Sequence, residues 1–412
     1  MNKKLTPLEK KWILYDVGNS AFTMLATTIL PIYFNYLAES ANVSAVNYMA
    51  FWGYAASIST LLVALLGPTL GSLADTQGYK KKLFTVVLLI GVIGCIVLGI
   101  TSSWIIFLVL FIITKTGYAT SLIFYDSMLT DVTTEDRMDR VSSYGYAWGY
   151  IGSCIPFVAS ISVVLGADSL GLSMSAAMLI ACAITALWWL GNTIPLLKSY
   201  QQKYYSSSAK KGVVRSSFKR LGGTFREIAH DKKVLFFLLA FFFYIDGVYT
   251  IIDMAIAYGQ ALGLDSTGLL LALLVTQLVA FPCALLFGRF SDKFRPSKML
   301  SICIIAYFGI ALYAIWLDSQ VKFWTLAVLV GMFQGTIQAL SRSYFAKIIP
   351  AEKSGEYFGI LDICGKGAAF FGTFLVSFVS QITGLVNAGV GSLSLMFLLG
   401  FFFFRKAVKL NK

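Results

Sequence analysis

Long apolar runs alternate with short polar breaks along the whole chain, and their length is their most informative property. A helix crossing the hydrocarbon core of a bilayer needs about twenty apolar residues. A dozen such runs follow one another, near 12–38, 47–74, 83–100, 104–130, 141–165, 172–195, 233–260, 266–288, 298–317, 322–348, 355–381 and 385–404. The expectation is an all-α polytopic membrane protein of twelve transmembrane helices. The stretch Met1 to Lys11 is short and basic, and the run after it carries Asp16 and lacks a small-residue cleavage site. It therefore reads as a first span and not as a removed signal peptide.

Polar residues inside these runs carry the next layer of information, because a charge at the bilayer centre costs about 2.5–3.5 kcal/mol on insertion scales and needs a partner or a task. Span one has Asp16, Asn19, Thr23 and Thr27; span four has Lys115, Tyr118, Tyr125 and Asp126. Span seven has Asp246, Thr250 and Asp253, and span ten has Gln334, Gln338, Ser341 and Arg342. Spacings of three and four put each set on one helical face. Every third helix thus bears a polar face, as expected of four three-helix units around a shared interior. Candidate substrate- or proton-binding residues are Asp16, Asn19, Lys115, Tyr118, Tyr125, Asp246, Asp253, Gln334, Gln338 and Lys366.

Asp246 and Asp253 stand two turns apart, about 10 Å by helix rise, too far to share a proton directly. Either is a proton carrier, or a counter-ion to Lys115 or to an amine on a solute. Lys115 lies near mid-membrane, where the alternatives are a functional charge or a fixed ion pair with Asp16, Asp126 or Asp246. Asp362 and Lys366 are spaced for an intrahelical ion pair. Asp126 and Arg342 approach one end of their helices, as an inner gate or as ordinary interfacial charges, and Glu356 reads as interfacial.

The longest polar interval, 196–232, divides the chain into an N-terminal six-helix bundle (1–195), a linker, part of it a candidate amphipathic helix, and a C-terminal six-helix bundle with a basic tail (233–412). The halves echo each other after their second spans. Gly71-Ser-Leu-Ala-Asp75-Thr-Gln-Gly78-Tyr-Lys80 is matched by Gly288-Arg-Phe-Ser-Asp292-Lys-Phe-Arg295. A glycine permits close packing, and the Asp four residues on can accept from a helix N-terminus or pair with an Arg across the bundle. Gly71, Asp75, Gly78, Lys80, Asp126, Gly288, Asp292 and Arg342 are the candidate gating residues; the alternative is a pair of short loops with ordinary basic residues.

Charge orients the assembly. Of the 33 Lys and Arg residues, 30 fall on one side if the span count is twelve, leaving Lys322 opposite and Lys115 and Lys366 within spans. Basic loops stay cytoplasmic, so both termini are expected in the cytoplasm. The net charge of +13 is spread over seven segments, which argues against a nucleic-acid partner. The composition, 58% hydrophobic and 13% charged, leaves no water-soluble domain of useful size. The six cysteines stand singly in spans and His230 is the one histidine, so no metal, no cofactor and no enzymatic triad is expected.

Gly-x-Leu-Ala-Asp-x-x-Gly-x-Lys between spans two and three resembles the signature loop of the major facilitator superfamily. Within it the chain resembles the vacuole effluxer family, through Tyr15-Asp-Val-Gly-Asn-Ser-Ala-Phe22, Tyr244-Ile-Asp-Gly-Val-Tyr-Thr-Ile251, Gln338-Ala-Leu-Ser-Arg-Ser-Tyr-Phe345 and Gly355-Glu-Tyr-Phe-Gly359 followed by Gly365-Lys366. The resemblance implies two six-helix halves of the major facilitator fold, with spans one, four, seven and ten lining a central cavity. It further implies a bacterial-type secondary transporter in the inner membrane, alternating access and export of an amino-acid-like solute. A Gly-x-x-x-x-Gly-Lys loop is absent from the sequence, so ATP is not the expected energy source; proton coupling through an intramembrane acid is expected, with a sodium site or facilitated diffusion as the alternatives. The expected partners are a small polar solute, protons and the bilayer, with the protein a monomer. The rivals are a drug or amphiphile exporter of the same fold and a membrane sensor that does not transport.

Overall fold

A computed structural model describes residues 4–206, 213–291 and 293–411. Twelve helices among these residues are long and apolar enough to cross a membrane. We label them α1 (Pro7–Ser40), α2 (Ala45–Ala74), α3 (Tyr79–Ile100), α4 (Trp104–Ser127), α5 (Met138–Leu165), α6 (Met174–Ser199), α7 (Lys232–Ala261), α8 (Ser266–Phe290), α9 (Pro296–Ala314), α10 (Gln320–Ile348), α11 (Ser354–Thr383) and α12 (Val386–Leu410). The expected spans are all present. Most shifts are a few residues, because capping and not hydropathy decides where a helix ends. Thr6 and Glu9 form a reciprocal capping box with Pro7 in the first turn, so α1 starts five residues before its apolar run. Similarly, α6 continues to Ser199, into the interval expected as linker.

Packing repeats six helices later. α1 lies against α5 and α6 as α7 lies against α11 and α12; α2 meets α4 as α8 meets α10; α3 meets α6 as α9 meets α12. The main contacts joining the first six helices to the last six are α2 on α11 and α5 on α8 and α10, with a smaller one of α4 on α11. Small residues make these approaches possible, since apolar burial gives helices little reason to associate within lipid. Gly145, Gly149 and Gly152 of α5 face Asp16, Ser20 and Val17 of α1, a spacing of three and four that lines one helical face. Large side chains such as Leu61, Leu65, Ile93, Leu187, Val321 and Ile382 point outward, where lipid would meet them.

Part of the interval between α6 and α7 is ordered against the first six helices. Tyr200 donates to Asp131, Gln202 Oε1 accepts from Gly78 N–H at 3.0 Å, and Ser206 N–H donates to the Asp75 carbonyl at 2.8 Å. Burial pushes the Tyr200 hydroxyl well above its ordinary pKa, so it stays protonated and donates. Val213–His230 forms a helix that packs on α2, with Glu227 bonded to Lys353 at 2.6 Å ahead of α11.

Candidate functional site

On the face that carries the basic loops, the seam between the two sets of six helices is closed at two levels. The outer level is the signature loop. Gly71 and Gly67 of α2 sit against Gly355 and Gly359 of α11, backbone to backbone; a Cβ on Gly71 would stand 2.1 Å from the Gly355 carbonyl oxygen. This contact brings Asp75 to the first turn of α11, where its carboxylate accepts from Gly355 N–H (2.8 Å) and Glu356 N–H (2.9 Å). Those amides have no acceptor within their own helix, and a carboxylate also complements the positive end of the helix dipole. Of the two partners foreseen for Asp75, the helix N-terminus is the one it meets.

Lys80 is fully buried beneath this loop, donating to Ser354 Oγ at 2.8 Å, with Asp75 at 3.6 Å and Asp131 at 3.7 Å. Gly78 turns the chain into α3 with φ = +78°, a conformation that glycine adopts freely. In the second copy, Gly288 approaches Ser143 and Tyr144 of α5. Asp292 lies outside the described residues. The acid seen on this side of the seam is Asp139 of α5, which accepts from Ser343 Oγ at 2.7 Å and from Lys347 of α10.

One or two turns deeper, Arg342 of α10 crosses the seam. Its Nη1 donates to Asp126 of α4 at 2.9 Å, its Nη2 to Asp16 of α1 at 3.3 Å, and its Nε to Ser142 Oγ of α5 at 2.8 Å. The Trp12 and Tyr146 rings stack near the guanidinium, 4.6 and 4.4 Å from Cζ. Such a buried, multiply bonded arrangement suits arginine's planar fork. Arg342 is therefore a buried cross-seam charge, and the interfacial reading is corrected. Glu356 is likewise buried, at 1% exposure. Asp16 and Asn19, expected on the cavity face, belong to this layer: Asn19 is buried and bonds the Tyr15 carbonyl at 3.0 Å and Asp16 at 3.4 Å. Tyr125 is fully buried, stacked on Trp12 at 4.3 Å, behind the guanidinium.

On the other side of Arg342, Thr23 and Thr27 of α1 are exposed, just before and within a π-helical turn, Leu25–Ile29, a local distortion common at functional sites. The Thr23 and Tyr118 hydroxyls share a hydrogen bond of 2.6 Å. Gln338 reaches Tyr150 at 3.5 Å and the Gln334 carbonyl at 3.3 Å. Lys115 has its ammonium 5.6 Å from the Phe111 ring centre and makes none of the fixed ion pairs foreseen for it; the charges acting on it are Asp253 and Lys366. Lys366 is bonded to Asp362 at 2.6 Å, as their spacing predicts.

Asp246 is fully buried in α7. One carboxylate oxygen accepts from Gly372 N–H (3.0 Å) and Thr250 Oγ1 (3.3 Å), while the other has no hydrogen-bond partner among the described residues. Gly372 is what lets α11 come so close: a Cβ there would stand 2.2 Å from Thr250 Oγ1. Beyond Thr250 an apolar cavity of about 70 Å³ opens among α7, α8 and α10, with Gln334, Phe323 and Tyr258 in its wall.

Sequence reasoning missed Ser142, Tyr146, Tyr150 and Tyr249. Tyr249 lies within electrostatic reach of Asp126, Asp253 and Asp362, yet in sequence it is one tyrosine among 21. Asp131 and Asp139, which the sequence reading did not single out, are both buried.

The chain matches the family described as vacuole effluxer Atg22 like over residues 8–138 and 130–412. It is 42% identical over 405 residues to a Bacillus subtilis protein named as the uncharacterized MFS-type transporter YxiO, covering 97% of this chain and 94% of that one. Autophagy-related protein 22 of Coccidioides immitis is 23% identical over 434 residues, covering 86% of this chain and 71% of that one. In structure, the Escherichia coli fucose:proton symporter FucP superposes with a TM-score of 0.74 at 18% identity over 97% of both chains.

Proposed function

Because the chain belongs to the vacuole effluxer Atg22-like family and is a twelve-span membrane protein of the major facilitator fold, we propose that it is a secondary transporter of a small zwitterionic, amino-acid-like solute. Residues 1–195 and 233–412 act as two rocking halves joined by the linker. The observation that carries this reading is a buried layer sealed by Arg342 with partly or fully exposed charges of both signs beyond it. Arg342 closes one side across the seam, and beyond it Lys115, Asp253 and the Asp362–Lys366 pair present both signs of charge. Charges in a membrane interior are costly unless they have a task, and opposed charges suit a solute carrying both.

The basic loops put the sealed side in the cytoplasm, so this is the outward-open state, with both termini inside. The Bacillus relative supports a bacterial cell membrane. The transporter works as a monomer and exports its solute in exchange for protons. Asp246 carries the proton, a role supported by its burial, its unpartnered oxygen and the absence of an ion pair to it among the described residues. Asp16 and Asn19 serve the inner gate, while Tyr118, Gln334 and Gln338 line the solute's path. An amphiphile exporter is the second reading, favoured by the apolar cavity beside Thr250.

The test is reconstitution in liposomes under an imposed pH gradient, with an amino-acid panel and a lipophilic-cation panel assayed on wild type and Asp246→Asn. Gradient-driven flux of amino acids that Asp246→Asn uncouples supports the reading. Flux of the lipophilic cations alone replaces it with the second reading. Absence of any flux removes transport and leaves a non-transporting membrane sensor.

A further inference from the structure

Two opposed charges beyond the inner seal make no ion pair among the described residues, and they stand on opposite halves. Lys115 projects from α4 and Asp253 from α7; each acts on the other's charge, yet neither makes an ion pair among the described residues. We propose that Lys115 and Asp253 are the outer lock of the transport cycle, an ion pair that forms when the inner seal opens. The proposal rests on the alternating-access reading.

Depth supports the pairing. By helix rise, Lys115 lies about 16 Å from the outer end of α4 and Asp253 about 12 Å from the outer end of α7. The lysine ammonium lies near the Phe111 ring, one turn further out along α4, so the side chain extends toward the level of Asp253. Other charges do not supply the partner. Lys366, also felt by Lys115, is bonded to Asp362 at 2.6 Å, while Asp16 and Asp126 are held by Arg342. Asp246 is fully buried, with its bonded oxygen turned to Gly372 and Thr250.

The inner pairs of Arg342 with Asp16 and Asp126 are made in this state while Lys115 and Asp253 are unpaired, as two locks of one alternating device require.

The test uses the full chain in liposomes. Lys115→Asp and Asp253→Lys each lower transport at least tenfold, and the double exchange Lys115→Asp/Asp253→Lys restores a third or more of the wild-type rate. In parallel, Lys115→Cys/Asp253→Cys in a chain whose six cysteines are replaced by alanine is treated with a short bismaleimide. Cross-linking is expected to raise amide hydrogen exchange at Gly355 and Glu356 at least tenfold, because closing the outer lock opens the latch that protects them. This arm needs no solute and reads the lock even if the transport reading fails. A double exchange no better than the single variants, or a cross-link that leaves exchange at Gly355 and Glu356 unchanged, overturns the proposal.

Discussion

Replacing Gly71 by alanine adds one methyl group where two helix backbones touch. The new Cβ would stand 2.1 Å from the Gly355 carbonyl oxygen and 2.6 Å from its carbon, and neither atom belongs to a side chain that could rotate away. Ordinary contact begins near 3.4 Å, so α2 and α11 must part by about 1.3 Å. A parting of that size stretches the Asp75 bonds to Gly355 and Glu356, now 2.8 and 2.9 Å, toward 4 Å and out of hydrogen-bond range. Overpacking of this kind costs about 1–3 kcal/mol, and the loosened bonds add about 1 kcal/mol more, since water replaces part of what is lost. A penalty of about 2–4 kcal/mol falls on the latched state alone and shifts its equilibrium roughly 30- to 700-fold. The readout is hydrogen exchange by mass spectrometry at the first turn of α11. Those amides have no helical acceptor, so Asp75 supplies their protection. Gly71→Ala is expected to accelerate their exchange by that factor, while Gly53→Ala, where a Cβ meets nothing within 4 Å, leaves it unchanged. Equal protection in wild type and Gly71→Ala would refute the idea that the glycine contact holds the latch.

Arg342→Gln leaves the buried Asp16 and the half-buried Asp126 without their cation, at about 3–5 kcal/mol; the melting temperature should fall, and adding Asp126→Asn should recover part of the loss. Gly372→Ala drives a methyl group toward Thr250 Oγ1 and Asp246 Oδ1, so proton-driven flux should fall at least tenfold while solute exchange without a gradient persists. Tyr200→Phe removes the hydroxyl that Asp131 accepts from, and thermal unfolding should register about 1–3 kcal/mol of destabilisation.

Features set by local chemistry were legible in the sequence. Apolar run length predicted twelve spans, and Asp75 was foreseen as an acceptor for a helix N-terminus. What was not legible depended on which helices face each other. Arg342 sits six residues from the end of α10, a position that looks interfacial until its side chain is seen to cross the seam to Asp16. Gly355 and Gly359 are one half of a contact whose other half, Gly67 and Gly71, lies nearly 300 residues away, and no local pattern joins them. Tyr249 and Tyr146 escaped notice because a tyrosine in an aromatic-rich span carries no distinguishing mark until its charged neighbours are known.

The central claim is that the halves exchange which side they close, and paired spin-label distances test it most directly. One pair spans the basic face at Lys81 and Glu352, and the other spans the opposite face at Asn42 and Gln260; both are measured by pulsed electron resonance in liposomes, with and without a transported amino acid and at high and low pH. The account predicts opposite changes, the basic-face distance lengthening as the other shortens. Distances that stay fixed under every condition, or that lengthen together, would contradict it.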